Sequence, residues 1–310
     1  MDFALSTSWN ASRSENTKEL FFEISQLGFK QVELGFNFTA AMVSQFADLA
    51  GSFDMRPVSL HNYCPIPDEF SRDKALPDCY SMASLDEFQR LQAVKYTKRT
   101  IDMASALGAK AVVLHCGRVE VVDRTRQLIN LYDRGDKDSA EFTDIKSRMR
   151  AERDDLAQGF LNRTLKSLDQ LNKHAKEQNI LLGVETRFYH REIPSFDELK
   201  VILDKFKYSQ VSYWHDTGHA QLMENLGFAR HKDFLEAYSD RLSGVHLHDI
   251  ASCRDHLAPG QGKLDFSILK PYLKTDTIKV IEAHAPASGL DITKSRQYLT
   301  EIFDTPNGNP

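Results

Sequence analysis

Cysteine is scarce in this chain and poorly spaced for structural work. The 310 residues hold four, at 64, 79, 116 and 253, and no two form a Cys-x-x-Cys pair. That excludes a disulfide framework and a zinc-finger scaffold. No apolar run approaches the roughly 20 residues that span a bilayer. The opening Met-Asp-Phe-Ala-Leu lacks the basic segment and apolar stretch of a secretory signal. A reduced, cytoplasmic protein with no membrane segment is expected. An excess of positive charge is also missing: 39 Lys and Arg face 44 Asp and Glu, for a net charge of −5. Phosphate backbones are usually met by a basic surface, so this balance argues against a nucleic-acid partner. No Gly-x-Gly-x-x-Gly follows an early strand, which weakens a dinucleotide-binding reading. Low-complexity segments are absent as well.

What remains is an ordinary globular composition, 41% hydrophobic and 27% charged. Eight short apolar runs read as strands, at 3–6, 31–34, 56–60, 111–114, 180–184, 211–214, 244–247 and 279–281. Helical patterns fill most gaps, at 17–27, 40–50, 85–107, 156–178, 196–206, 232–239, 266–273 and 293–303. In the fourth of these, Phe160, Leu161, Leu165, Leu168 and Leu171 recur at three- and four-residue steps and form one apolar stripe. Strands alternating with helices imply βαβ units and a parallel sheet, and eight of them imply closure. The expected fold is a single (β/α)8 TIM barrel over 1–310. Its length is somewhat above the roughly 250 residues typical of that fold. Two connections are long, at about 62–84 and 117–153, and both follow strand ends, so both should overhang the active face. Partial helix is expected near 139–150, and 306–310 reads as a frayed tail.

Four runs end in residues that bind metals or move protons. They are Ile180-Leu-Leu-Gly-Val-Glu185, Val211-Ser-Tyr-Trp-His-Asp216, Leu242-Ser-Gly-Val-His246 and Ile278-Lys-Val-Ile-Glu282. In a closed barrel the C-terminal strand ends meet at one face, where active sites are built. Three carboxylates and an imidazole gathered there call for a cation between them, most simply a divalent metal. His61 and His115 follow strands three and four in the same way, His219 lies three residues after Asp216, and His256 sits in Asp255-His-Leu-Ala-Pro-Gly-Gln-Gly262. These four are further candidate ligands, and His219 and His256 are equally candidate substrate contacts. Singly, each has an ordinary explanation as a hydrogen-bonded rim residue. The coincidence is the signal, because strands three to eight all end in a ligand-type residue.

Other residues carry weaker expectations. Arg187 and Arg191 follow Glu185 and could bind a substrate anion or pair with nearby acids. Trp9 and Phe36 follow strands one and two and could wall a sugar ring. Glu33 also lies near a strand end. His248 and His284 sit two residues beyond His246 and Glu282, with His248 a candidate to reach substrate. His215 should point away from the site by strand alternation. His174, His190 and His231 should be solvated, and Cys116 should serve packing.

With these motifs on the page, the chain resembles the xylose-isomerase-like barrels of sugar isomerases and epimerases, which include endonuclease IV. The resemblance rests on Val32-Glu-Leu-Gly35, Leu114-His-Cys-Gly117, Gly183-Val-Glu-Thr186, Asp216-Thr-Gly-His219, Val245-His-Leu-His-Asp249, His256-Leu-Ala-Pro-Gly-Gln-Gly262 and Ile281-Glu282, in that order over nearly the whole chain. It implies Glu185, Asp216, His246 and Glu282 as shared metal ligands. In the ketose epimerases of the family the two glutamates double as bases, and a His three residues after the ligand Asp contacts substrate, a role that His219 fits. Those enzymes place an Arg six residues after the ligand His, where this chain has Ser252. Endonuclease IV uses three zinc ions, and its pattern matches His61, His115, Glu185, Asp216, His219, His246, His256 and Glu282. It requires one further Asp, and this chain has Arg254 at that position. The Pro259-Gly-Gln-Gly262 form and the Leu-His-Asp after the ligand His look more like inosose dehydratase-like relatives.

The resemblance implies a divalent-metal-dependent isomerase or epimerase of a small carbohydrate or polyol. Glu185 and Glu282 would act as acid and base around an enediolate, with His219, His256, Arg187 and Trp9 at the substrate. Mn²⁺, Mg²⁺, Co²⁺ and Zn²⁺ all suit the mixed nitrogen and oxygen donors. Three alternatives stay open: an endonuclease IV-like phosphodiesterase, a dehydratase-like lyase, and a non-enzymatic binding barrel. The expected partner is a small carbohydrate rather than nucleic acid or membrane, and a homo-oligomer is compatible with the sequence.

Overall fold

The computed structural model describes residues 2–305. The expected frayed tail lies outside that range. Eight parallel strands close into a barrel: β1 (Ala4–Ser6), β2 (Gln31–Leu34), β3 (Arg56–His61), β4 (Ala111–Leu114), β5 (Leu181–Glu185), β6 (Val211–Asp216), β7 (Leu242–Leu247) and β10 (Ile278–Ile281), with β10 pairing β1 to complete the ring. A separate antiparallel hairpin, β8 (Asp249–Ala251) and β9 (Arg254–Leu257), follows β7 at the mouth. The barrel strands fall within one or two residues of the sequence expectation. The hairpin was not anticipated.

The barrel interior is layered. Toward the strand starts, Ala4, Val58, Ala111, Val113, Trp214, Ile278 and Val280 form a small apolar cluster. Trp214 is its bulk and dictates the sequence around it. A Cβ on Gly244 would lie 2.2 Å from the indole, so a larger residue there would collide with it. Above this layer the interior turns polar, with Ser6, Glu33 and Ser59 in register across β1, β2 and β3. A second, larger core lies between the strands and the outer helices.

The helices are α1 (Thr17–Gln26), α2 (Ala40–Leu49), α3 (Glu87–Leu107), α4 (Thr125–Asp133), α5 (Ala140–Gln178), α6 (Phe196–Lys205), α7 (Thr217–Asn225), α8 (His231–Tyr238) and α9 (Gly289–Asp304). Three differ from expectation. The long connection at 117–153 is largely helical: α4 lies inside it, and the partial helix expected near 139–150 is present but runs without a break into the one expected at 156–178, giving α5, a helix of 39 residues. Ser139 caps α5 by accepting the Phe142 amide, and Phe142, Met149, Phe160, Leu161, Leu168 and Leu171 lie on its buried side. The dense charge between these anchors hid the stripe. Helix α7 was also missed. It begins at Asp216, whose Oδ1 accepts the His219 amide at 2.7 Å as an N-cap. The expected helix at 266–273 is only a 3-10 turn at Phe266–Leu269. Among the described residues no helix is long and apolar enough to cross a membrane.

A candidate metal centre at the barrel mouth

His246 is the hub of the mouth. Its Nδ1 lies 2.6 Å from Glu185 Oε1, 2.9 Å from Glu282 Oε2 and 3.7 Å from Asp216 Oδ2. Three strands thus aim three carboxylates at one ring nitrogen of a fourth. The opposite nitrogen, Nε2, is 3.1 Å from both oxygens of Glu33, which also accepts from Ser6 Oγ and Ser59 Oγ. All five residues are buried. Burial opposes charge on His246, yet Glu282 and Glu33 hold it protonated well above the ordinary histidine value. For Glu282 burial likewise opposes ionisation, and His246 overrides it.

Glu185, Asp216, His246 and Glu282 offer one ligand atom each, all within 4.8 Å of one another. Without an ion, a proton on His246 is the positive charge between the three acids. A divalent cation fits the set better. Glu33 would keep the Nε2 proton and leave the Nδ1 lone pair facing the carboxylates, the carboxylate–histidine arrangement common behind metal-bound imidazoles. One nitrogen and three oxygens suit hard or borderline divalent ions.

A second group adjoins the first through Glu185. His115 Nε2 lies 2.7 Å from Glu185 Oε2, His61 Nε2 lies 4.0 Å from the same oxygen, and Arg187 Nη1 donates to it at 2.5 Å. Burial, then the nearby guanidinium, push the His115 pKa well below the ordinary value, so it gives Glu185 a hydrogen bond and no charge. Arg187 is 5% exposed and also donates to Glu192 Oε1 at 3.1 Å.

On the other side, His219 donates from Nδ1 to the Thr186 carbonyl at 3.0 Å, which leaves Nε2 free, 3.7 Å from Asp255. His256 Nδ1 is 2.8 Å from Asp255 Oδ2. Its ring stacks between His248 at 4.1 Å and His284 at 3.9 Å. His248 accepts the His256 amide at Nδ1, so its Nε2–H donates to Asp216 at 2.9 Å. The ring rests on Gly218, where a Cβ would approach it to 2.2 Å, which accounts for the glycine of Asp216-Thr-Gly-His219.

A cavity of about 570 Å³ opens over these groups, lined by Glu185, Glu282, His61, His115, His219, His256, Arg187 and His284 among others. Leu76, Pro77 and Asp78 from one long connection and Arg126, Ile129 and Asp133 from the other form part of its wall, so both connections do overhang this face. A larger hollow of about 850 Å³ lies at the opposite end beside Gln31, Arg56 and Arg296, and no histidine lines it.

The candidate residues therefore converge, with one exception. Trp9 does not line the cavity: it is 1% exposed, and its indole N–H donates to the Ala287 carbonyl at 2.8 Å. The 3-10 turn Thr7–Trp9 directs the ring sideways under the loop after β10. Phe36 does line the cavity. Other expectations also change. His248 is fully buried against Asp216 rather than free to reach substrate. His231 is 1% exposed and bonded to His215, not solvated, and His190 is stacked on Phe228 with burial lowering its pKa to about 3. His174 pairs with Asp102, and Arg191 lies 3.8 Å from Asp123. Cys116 is buried and its thiol is pushed up to about 12, as packing requires. Glu192 was missed outright, since nothing in its spacing shows that it grips Arg187. Glu33 was noticed without a role.

Residues 21–301 match the family described as xylose isomerase-like TIM barrels. The chain belongs to that family. Among relatives of this barrel, the uncharacterised protein y4fM of Sinorhizobium fredii (strain NBRC 101917 / NGR234) is 26% identical over 214 residues, covering 68% of this chain and 58% of y4fM. The match thus spans less than two thirds of that relative's length. The structure of L-ribulose 3-epimerase superposes with a TM-score of 0.69 at 15% identity, covering 100% of both chains. The IOLI protein with a binding zinc atom superposes with a TM-score of 0.66 at 13% identity, again covering 100% of both. At these identities the two structures share the fold of this xylose isomerase-like barrel.

Proposed function

We propose that this barrel is a divalent-metal-dependent isomerase or epimerase of a small carbohydrate. The observation that carries the reading is the convergence of Glu185, Asp216, His246 and Glu282 on one point beneath a cavity of about 570 Å³. The structural neighbours support it: one acts on a ketose by name, and another is described with zinc. The four residues would hold the ion. When bound, it supplies positive charge where a carbonyl oxygen gains electron density as the neighbouring carbon loses its proton.

The protein's own groups would do the proton work, and they are not equivalent. Glu185 has both oxygens engaged, one by His246 and the other by His115 and Arg187. Among the described residues the second oxygen of Glu282 accepts no hydrogen bond, and Glu282 faces the cavity near His256 and His284. Glu282 is therefore the carboxylate better placed to take a proton from carbon, with Glu185 its counterpart across the site. His219 presents a free Nε2 and His256 a stacked, oriented ring, both suited to sugar hydroxyls. Arg187 lines the same wall.

Solvent deuterium exchange tests the reading. Metal-loaded protein incubated in D₂O with a panel of ketoses and aldoses should place deuterium beside the carbonyl of at least one sugar, and a chelator should abolish it. Cleavage of abasic-site DNA by the pure protein, with no exchange into any sugar, would replace this reading with a phosphodiesterase.

A further inference from the structure

We propose that Arg187 occupies the position of a second cation and so keeps a metal ion out of the group formed by His61, His115 and Glu185. The inference rests on the metal-binding part of the reading above and not on its chemistry. Glu185 divides its two oxygens between two donor groups. Oε1 faces His246 and the four-residue centre. Oε2 faces His61, His115 and Arg187. His61, His115 and Glu185 offer ligand atoms within 4.8 Å of one another, a two-nitrogen, one-oxygen set that would bind an ion with Glu185 as the bridge. His61 is already in the tautomer such an ion needs: its Nδ1 donates to the Asn62 carbonyl at 3.1 Å, which leaves the Nε2 lone pair turned toward Glu185.

The guanidinium stands where that ion's charge would act. Arg187 Nη1 is 2.5 Å from the bridging oxygen, closer than either imidazole. It is also clamped. Glu192 holds Nη2 through Oε1 and takes the Tyr189 amide at Oε2 at 2.9 Å. Arg153 donates to the Glu192 carbonyl at 3.0 Å, and the Ile193 amide donates to the Gly117 carbonyl at 2.9 Å, so the segment cannot drift outward cheaply. Arginine stays charged under all ordinary conditions, so this cation does not leave by deprotonation. A divalent ion at His61 and His115 would share Glu185 with a fixed like charge in a buried site, where repulsion is weakly screened.

Metal counting tests this without any substrate. The full chain is equilibrated with excess Mn²⁺, desalted and analysed for metal per chain. Mn²⁺ titration calorimetry and the Mn²⁺ electron paramagnetic resonance spectrum are recorded in parallel. The wild type should hold one ion with an isolated-ion spectrum. Arg187→Met should hold two, with a spectrum broadened by coupling through the shared carboxylate. Adding His115→Ala to Arg187→Met should return the count to one. Arg187→Gln keeps a neutral hydrogen-bonding partner for Glu185 and Glu192, guards against a folding failure of the methionine variant, and should also hold two. Two ions in the wild type would overturn the proposal, and so would a count of one in both arginine variants. No ions in any form would overturn the metal centre and this inference together.

Discussion

The two faces of strand β6 solve the problem of buried polar groups in opposite ways. On the outer face, Tyr213 and His215 belong to a hydrogen-bonded chain that runs Thr186 to Tyr213 at 2.8 Å, Tyr213 to His215 Nδ1 at 2.6 Å, His215 Nε2 to His231 Nε2 at 2.9 Å, and His231 Nδ1 to Gln221 at 3.1 Å. The Gln221 oxygen only accepts, so every proton is assigned in turn: His231 donates to Gln221, His215 to His231, Tyr213 to His215 and Thr186 to Tyr213. Both imidazoles are then neutral and fully partnered. Burial keeps them so, lowering the His231 pKa to about 4. On the inner face, Asp216 joins Glu185, Glu282 and Glu33 around His246, so four carboxylates share one imidazole. The outer chain is complete as protein. The inner cluster gathers four carboxylates around one imidazole, and the proposed metal ion would complete it. A buried polar network that satisfies itself speaks of structure, and one left short of charge speaks of a ligand.

The sharpest break in this contrast comes from the inner face. Glu282→Gln should lower turnover by roughly 10²–10⁴ with metal in excess, the usual worth of a general base, while leaving the melting temperature close to wild type. Wild-type turnover in that variant would remove Glu282 from the mechanism. A smaller effect is expected behind the ligands. Glu33→Gln should weaken metal affinity by roughly 10–100-fold, because the His246 ring loses the charged acceptor behind it. Calorimetric titration with Mn²⁺ measures this, and unchanged affinity would reduce Glu33 to a packing role.

The outer face should respond in stability alone. His215→Phe should cost about 1–2 kcal/mol in urea unfolding by stranding Tyr213 and His231, with the metal count unchanged. The same chain sets a pH slope. The unfolded chain protonates His231 below about 6.5 while the folded state resists until about 4. Stability contributed above pH 6.5 is therefore lost as pH falls through that window, at about 1.4 kcal/mol per pH unit for one such group. Unfolding midpoints measured from pH 7 to 4.5 with a metal-free sample should show the slope, and a flat profile would contradict neutral burial.

The barrel and the convergence of the four inner candidate residues were legible because both follow from period and position. Each apolar run is one strand long, and the ligand-type residue stands at its end, so barrel closure brings Glu185, Asp216, His246 and Glu282 to the same mouth, with Asp216 and His246 as direct register partners. What stayed hidden depends on partners that the local sequence does not name. Nothing near His231 indicates that His215, 16 residues earlier, will meet it across α7. Arg187 was open between an anion contact and pairing with nearby acids, and the partner Glu192 stayed hidden because it lies across a turn whose course only the fold reveals. Trp9 was misjudged for a similar reason: a 3-10 turn after β1 rotates the side chain away from the mouth. The length of α5 was masked by charge on its solvated side.

One carboxylate beyond the candidate metal centre fixes the shape of the mouth. Asp249, buried at the start of the hairpin, accepts four backbone amides, from Ile250, Gly260, Gly262 and Leu264, at 2.9–3.0 Å. The segments before and after the turn that carries Asp255 and His256 are thereby tied to a single point. That flank of the cavity is a fixed jamb. Helix α4 braces the same flank, where Asp133 accepts a hydrogen bond from Ser252 in the hairpin turn.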